Sequence, residues 1–160
     1  MCLGLTTFVA CNQETTDDKK MEQQTTDVAN PLLVESSLFL QAPEFDKIKN
    51  SHFKPAFEQG MAMQLAEIDS IVNNSAEPTF ENTVVALEES GSLLSRVSRV
   101  FFPLTSANTN DSLQAINQEL APKLAAQRDA IYLNTALYER IKAVADKNEE
   151  LDAESKRVLE

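Results

Sequence analysis

SHFKPAFEQGMAMQLAEIDSIVN, residues 51–73, is the run whose reading settles the fold class. Phe53, Phe57, Met61, Leu65, Ile68 and Val72 recur at helical spacing, while Glu58, Gln59, Glu67 and Asp69 fall largely off that stripe. Such a repeat places the apolar side chains on one face of an α-helix, and a strand, with its period of two, would scatter them over both sides. Ser51 is a candidate N-cap, and Pro55 is tolerable in the first turn, where a missing N–H costs little. Asn73-Asn74 serves as an exit.

The chain after this run continues in the same period. Glu77-Pro78-Thr79 is a break followed by a cap, and the next helix is expected from Phe80 to about Thr105, with Val84, Leu87, Leu94, Val97 and Phe101 as its stripe. Gly91 lies where a close helix contact would need a small residue, and Pro103 bends or ends the element. Residues 106–111 are rich in side chains that bond their own backbone in turns. Asp111 with Gln114 resembles a capping box and opens a third helix through Leu113, Ile116, Leu120, Leu124 and Ile131, with a kink expected at Pro122. Asn134 caps a fourth helix built on Leu137, Ile141 and Val144, and Asp152 starts a fifth at Ala153. No strand-like alternation and no internal repeat is found. The expectation is an all-α array of consecutive helices, roughly antiparallel where the connections are short. The fifth helix stops in mid-pattern at Val158-Leu159 without a closing glycine, so residues 31–160 are expected to be a helical lobe truncated at its C-terminal end.

Before the first helix, residues 31–45 carry Leu32, Leu33, Val34, Leu38, Phe39 and Leu40, interrupted by Pro43, and read as an extended, docked arm. Residues 12–30 are rich in Gln, Thr, Asp and Glu. They lack the apolar surface needed to offset ordering entropy, so residues 11–30 read as a flexible polar tether. Residues 1–10 contain Leu3, Leu5, Phe8 and Val9 and end in small residues, the pattern of a clipped signal peptide. Phe8-Val9-Ala10-Cys11 looks like a bacterial lipobox, whose cysteine, Cys11, is lipidated and would hold the domain to a membrane by that anchor only. Leucine is commoner at the first lipobox position, and no basic residue precedes the apolar run. The competing reading is a frayed apolar terminus in which Cys2 and Cys11 are ordinary thiols. A bond between them would close no framework.

Composition removes several classes of function. The 160 residues carry 25 acidic and 14 basic side chains, a formal net charge of −11, which opposes phosphate backbones, and no basic block stands out, so no nucleic-acid partner is expected. Gly4, Gly60 and Gly91 are far apart and form no phosphate-cradling loop. The one histidine, His52, has no cysteine near it to complete a mixed metal site, so no zinc is expected on this chain. No run of eighteen or so apolar residues exists to span a membrane.

Four features could carry chemistry. His52 could act as a base only with a positioned partner and a cleft; the plainer reading is a partly exposed residue at a helix start. Glu88 and Glu89 are adjacent, point about 100° apart and read as solvated surface. Arg96 and Arg99 share a face and could grip a carboxylate, or could pair with acids of the same chain such as Glu89. Phe101-Phe102 implies apolar contact on two sides of one helix.

Several stretches carry a family resemblance. Asn30-Pro31-Leu32-Leu33, Phe45-Asp46-Lys47-Ile48 and residues 52–61 resemble the start of a bacterial peptidyl-dipeptidase (dipeptidyl carboxypeptidase). Phe80-Glu81-Asn82-Thr83-Val84-Val85-Ala86-Leu87-Glu88, continuing through Ser90-Gly91, Arg96-Val97 and Val100-Phe101-Phe102 to residues 105–111, is similar to the N-terminal helices of that family. Asp129-Ala130-Ile131-Tyr132-Leu133-Asn134 and residues 151–160 fit the same register. The resemblance implies a thimet-oligopeptidase-like zinc metallopeptidase, a largely helical enzyme whose two lobes enclose a deep channel. It further implies a His-Glu-x-x-His helix and a downstream glutamate that hold zinc, with the motif's glutamate as general base. His52 is followed by no Glu and by no histidine four positions on, so no catalytic, cofactor-binding or metal-binding residue carries over to this chain. The expectation is the N-terminal lobe, walling a channel for short peptides, of a protein that releases dipeptides from their C-termini. Its partner would be the missing C-terminal catalytic lobe, zinc would belong to the full-length protein, and the domain would stand in the periplasm of a bacterial cell envelope. The alternative is a non-catalytic helical binding or scaffold lipoprotein.

Overall fold

The computed structural model describes residues 30–147 and 151–159, so the signal-peptide assignment, Cys11 and nearly all of the tether lie outside the described residues. Among the described residues the fold is all-α, as the periodicity predicts, with no strand. After 3-10 turns at Pro31–Leu33 and Phe39–Gln41 come α1 (Asn50–Val72), a π-helical stretch (Phe80–Val85) running straight into α2 (Ala86–Glu89), then α3 (Ser92–Ala107), α4 (Asp111–Tyr132), α5 (Thr135–Asp146) and α6 (Ala153–Val158). None of the described helices is long and apolar enough to cross a membrane.

Helix α1, about 34 Å long at 1.5 Å per residue, is the spine. Phe53 and Phe57 of α1 meet Phe101 of α3 edge-on, with ring centroids 5.0 and 5.2 Å apart, and Gly60 lies under Leu94, so α3 runs antiparallel to α1. Along the other side Asn50 bonds Asn110, Lys54 pairs with Glu119, Glu58 with Lys123, and Met61 accepts from Gln127. Both partners' numbers rise together, so α4 runs parallel to α1 and α1, α3 and α4 form an up-down-up bundle. Leu93, Val97, Val100, Leu113, Leu120 and Leu32 complete its core. A second cluster, Ile68, Ile71 and Leu137, sits at the far end of α1 with Leu87, Ile131 and Ile141 packed on it. Between the two lies a polar seam. The Gln127 amide donates to the Met61 carbonyl and the Gln64 side chain, both at 3.1 Å, and the Gly91 N–H donates to Glu67 at 2.7 Å.

The structure corrects several local readings. The cap of α1 is Lys49, not Ser51, and its N–H donates to Nδ1 of His52 at 3.1 Å. The expected helix from Phe80 to Thr105 is divided, because Gly91 adopts a left-handed conformation (φ 72°) between α2 and α3. Asn110 rather than Asp111 caps α4, accepting from the Leu113 N–H at 3.0 Å, and α4 runs on through Pro122 to Tyr132. Asn134 and Asp152 cap as expected. The apolar face of α1 is carried by Ala56, Gly60 and Ile71 as well as the predicted phenylalanines, since several packed neighbours widen the buried arc beyond one stripe, whereas Leu65 of the predicted stripe is exposed. Only the first part of the arm docks: Leu32 is buried, whereas Phe39, Leu40 and Phe45 face water.

A Cβ on Gly60 would stand 3.0 Å from the Cα and N of Leu94, backbone atoms that cannot swing aside. Gly60→Ala is therefore expected to destabilise the fold by about 1–3 kcal/mol despite the gain in helix propensity. Gly91→Ala, strained at φ 72° and overlapping Gln64, should lower the urea midpoint as well. A second test concerns charge. Glu119 is held below its ordinary value of 4.5 first by the hydrogen bond from Lys54 and then by that from Lys123. A carboxyl depressed in the folded state contributes fully above its ordinary value, and that contribution fades as pH falls through the folded-state value. Glu119→Gln should therefore lower Tm slightly at neutral pH, with the difference from wild type vanishing below pH 4.5 and shrinking in high salt.

Candidate functional site

A groove of about 900 Å³ runs between the arm and the α2–α3 corner. The arm supplies Leu40, Pro43 and Phe45, and α3 supplies Arg96 and Arg99. The Arg96 guanidinium lies 3.8 Å from Glu35 and 3.5 Å from the Leu32 carbonyl, and its shielded Nε has no partner among the described residues. The expected pairing with Glu89 does not form, because the turn at Gly91 takes Glu89 out of the helical phase of α3. Arg99 lines the same groove from an exposed position, so the structure brings the two arginines together but gives them different neighbours. Glu88 and Glu89 are exposed at its edge, as expected of solvated surface.

His52 is placed as a structural residue. Its Nδ1 accepts from the Lys49 N–H and its carbonyl accepts from the Asn30 side chain at 2.8 Å, tying the start of the arm to the start of α1. Asn30, at the end of the stretch read as tether, is therefore held, and it also caps the Pro31–Leu33 turn. Phe101 is buried and Phe102 half-exposed, their rings 5.4 Å apart, and both contact Phe57. Among the described residues no three His, Cys, Asp or Glu side chains come together as metal ligands do, and with Nδ1 of His52 committed to a helix cap these residues do not fit a zinc ion.

A polar hub that residue spacing did not single out lies in the π-helical stretch. Asn82 Oδ1 accepts from the Thr79 N–H and the Thr83 hydroxyl, each at 2.9 Å, and from Arg140 at 3.3 Å, while its amide donates to the Glu77 carbonyl at 2.9 Å. The Asn82 N–H in turn donates to the Thr79 hydroxyl at 3.2 Å, a capping box whose second member is an asparagine. Arg140 of α5 also donates to the Asn74 carbonyl at 2.7 Å, and Lys147 bonds the Pro78 carbonyl and Glu77, whose carboxyl is held below the usual range by that hydrogen bond. The Phe80-Glu81-Asn82-Thr83 segment thus fastens α5 and the loop after α1. The only sequence signal for it is Thr79 three residues before Asn82.

No protein-family profile matches the chain. Two curated proteins named dipeptidyl carboxypeptidase are similar to it: one from Salmonella typhimurium, 49% identical, and one from Escherichia coli K12, 47% identical, each over 133 residues. The match takes in 82% of this chain and 20% of each relative, so the chain spans about a fifth of the length of the curated relatives it matches. The peptidyl-dipeptidase resemblance is borne out, and the match supports reading the chain as a piece of such a protein.

Asn82→Ala should cost about 1–3 kcal/mol, since it strands two donors and removes a partner from Arg140. Asn82→Asp keeps the acceptor and should lose less. Urea denaturation of both variants checks the order.

Proposed function

We propose that this chain is the N-terminal helical lobe of a zinc metallopeptidase that releases dipeptides from the C-termini of short peptides. The observation that carries the reading is the 49% identity over 133 residues to a protein named dipeptidyl carboxypeptidase. The lobe's contribution is steric: a packed bundle, pinned by the Asn82 hub, that walls the substrate channel and admits short peptides. The His-Glu-x-x-His residues lie outside these 160 residues, and zinc is held there, because the donor set described above does not fit the ion. Cys11 carries the lipid, and the polar residues after it let the domain stand off a bacterial envelope membrane in the periplasm.

The test begins with the source DNA beyond the codon for Glu160. A frame that continues for several hundred residues to a His-Glu-x-x-His helix is the expected result, and an immediate stop would favour a non-catalytic helical lipoprotein. The longer product should release dipeptides from peptides with a free C-terminus and lose activity on chelation. The 160-residue chain should show no peptidase activity above background and less than one zinc per chain by elemental analysis. Dipeptide release by that chain alone would overturn the assignment.

A further inference from the structure

The groove beside the arm holds charges of both signs that do not close on one another. Glu88 and Glu89 enter it from just before α3, are exposed and join no ion pair among the described residues. Ser92, Ser95, Arg96 and Arg99 then follow on one face of α3, with Arg96 and Arg99 about 6 and 10 Å along the axis from Ser92. Leu40, Pro43 and Phe45 of the arm form the apolar side of the groove. That side is fixed by backbone geometry: Leu40 and Gln41 both adopt positive φ (55° and 54°), which costs non-glycine residues energy, and the Gln41 amide bonds Glu35 at 3.1 Å. Arg96 is under-bonded. Its contacts with Glu35 and the Leu32 carbonyl, at 3.8 and 3.5 Å, are longer than ordinary hydrogen bonds, and its shielded Nε has no partner among the described residues. The α1–α4 seam behaves otherwise, since Lys54, Glu58, Glu119 and Lys123 there satisfy one another.

We infer that this groove binds a free dipeptide, with its ammonium at Glu88 and Glu89, its carboxylate at Arg96 and Arg99, and its side chains against Leu40, Pro43 and Phe45. Charge argues for a zwitterion, because an anion alone would meet the unpaired acids and a cation alone would meet the arginines. Length selects within that class. The two charged groups of a single amino acid stand about 3 Å apart, those of an extended dipeptide about 7 Å and those of a tetrapeptide about 14 Å. The dipeptide matches charged ends separated by one to two turns of α3, and its carboxylate gives Arg96 the short, two-pronged acceptor that Glu35 and Leu32 do not supply. The inference rests on the peptidyl-dipeptidase reading for the source of the ligand, since such a protein makes free dipeptides, but not for the chemistry of the groove.

The experiment uses the full-length product of the gene, with a chelator present so that no peptide is cleaved, and follows amide exchange by mass spectrometry as alanyl-leucine is added. Exchange of residues 36–46 and 88–99 should slow severalfold, with half the effect at about 1 mM, the strength expected of so small a ligand. Acetylating the ammonium, amidating the carboxylate, or substituting leucine or tetra-alanine for the dipeptide should each weaken the effect about tenfold. Arg96→Gln with Arg99→Gln should abolish it, and Glu88→Gln with Glu89→Gln should weaken it about tenfold, with urea midpoints checking that each variant folds. The ligand series on the unaltered protein decides the matter even where a variant does not fold. No slowing at about 10 mM dipeptide, or slowing that survives the arginine changes, would overturn the inference. An acetylated dipeptide that binds as well as the free one would make the groove a carboxylate site and overturn it too. Each of these results leaves peptidase activity, measured separately on the zinc-loaded protein, untouched. A product without peptidase activity that still binds alanyl-leucine at these residues would uphold the groove and remove only the proposed source of its ligand.

Discussion

Everything in the bundle depends on how closely α1 and α3 approach at Gly60. With no side chain there, the Leu94 backbone settles onto α1, and that contact sets the height at which Phe53 and Phe57 meet Phe101. The edge-on stacking is possible only at this spacing, since aromatic pairs lose their favourable geometry when the helices separate. Helix α4 then closes the third side, with charge pairs outside and Leu113 and Leu120 inside. The order of importance is steric first, aromatic second and ionic last, because exposed pairs in water contribute little.

The second glycine has a different task. Gly91 turns the chain between α2 and α3, and its N–H is taken up by Glu67 of α1. Without the turn, α2 and α3 would be one straight helix and α2 could not reach the Ile68 and Ile71 end of α1. The same turn places Glu88, Glu89 and Ser90 at the edge of the groove beside the arm. One left-handed residue therefore organises both the far core and one edge of the groove.

Much of the fold was legible in the spacing of the residues. Periodicity placed α1 to within a residue or so at each end, and Asn134 and Asp152 were readable as caps because a short polar side chain followed by a helical stripe has few other meanings. The break at Gly91 was not, since a glycine inside a periodic run signals a close contact as readily as a turn, and here it serves both. Asn110 and Asp111 are adjacent capping residues, and only the backbone decides between them. The π-helical stretch was invisible because the apolar pattern tolerates one extra residue per turn, and the hub at Asn82 depends on Arg140, fifty-eight positions away. The exposed half of the arm was misread as docked because apolar composition does not say what an apolar side chain packs against. Of the candidate site, the shared face of Arg96 and Arg99 was readable; the partner of Arg96 was not, because Glu35 lies on a separate, irregular segment.

The polar seam of Gln64, Glu67 and Gln127 has a dynamic corollary. It separates the core around Phe101 from the cluster around Ile68 and Leu137, so side-chain packing does not pass continuously from one to the other. Hydrogen bonds can exchange with water one at a time, whereas interlocked apolar side chains must separate together. The molecule is thus two cooperative units threaded on a single helix. Local opening is then cheapest at the end of α1 near α5, where the smaller cluster of Ile68, Ile71 and Leu137 can come apart without disturbing the aromatic contacts around Phe101.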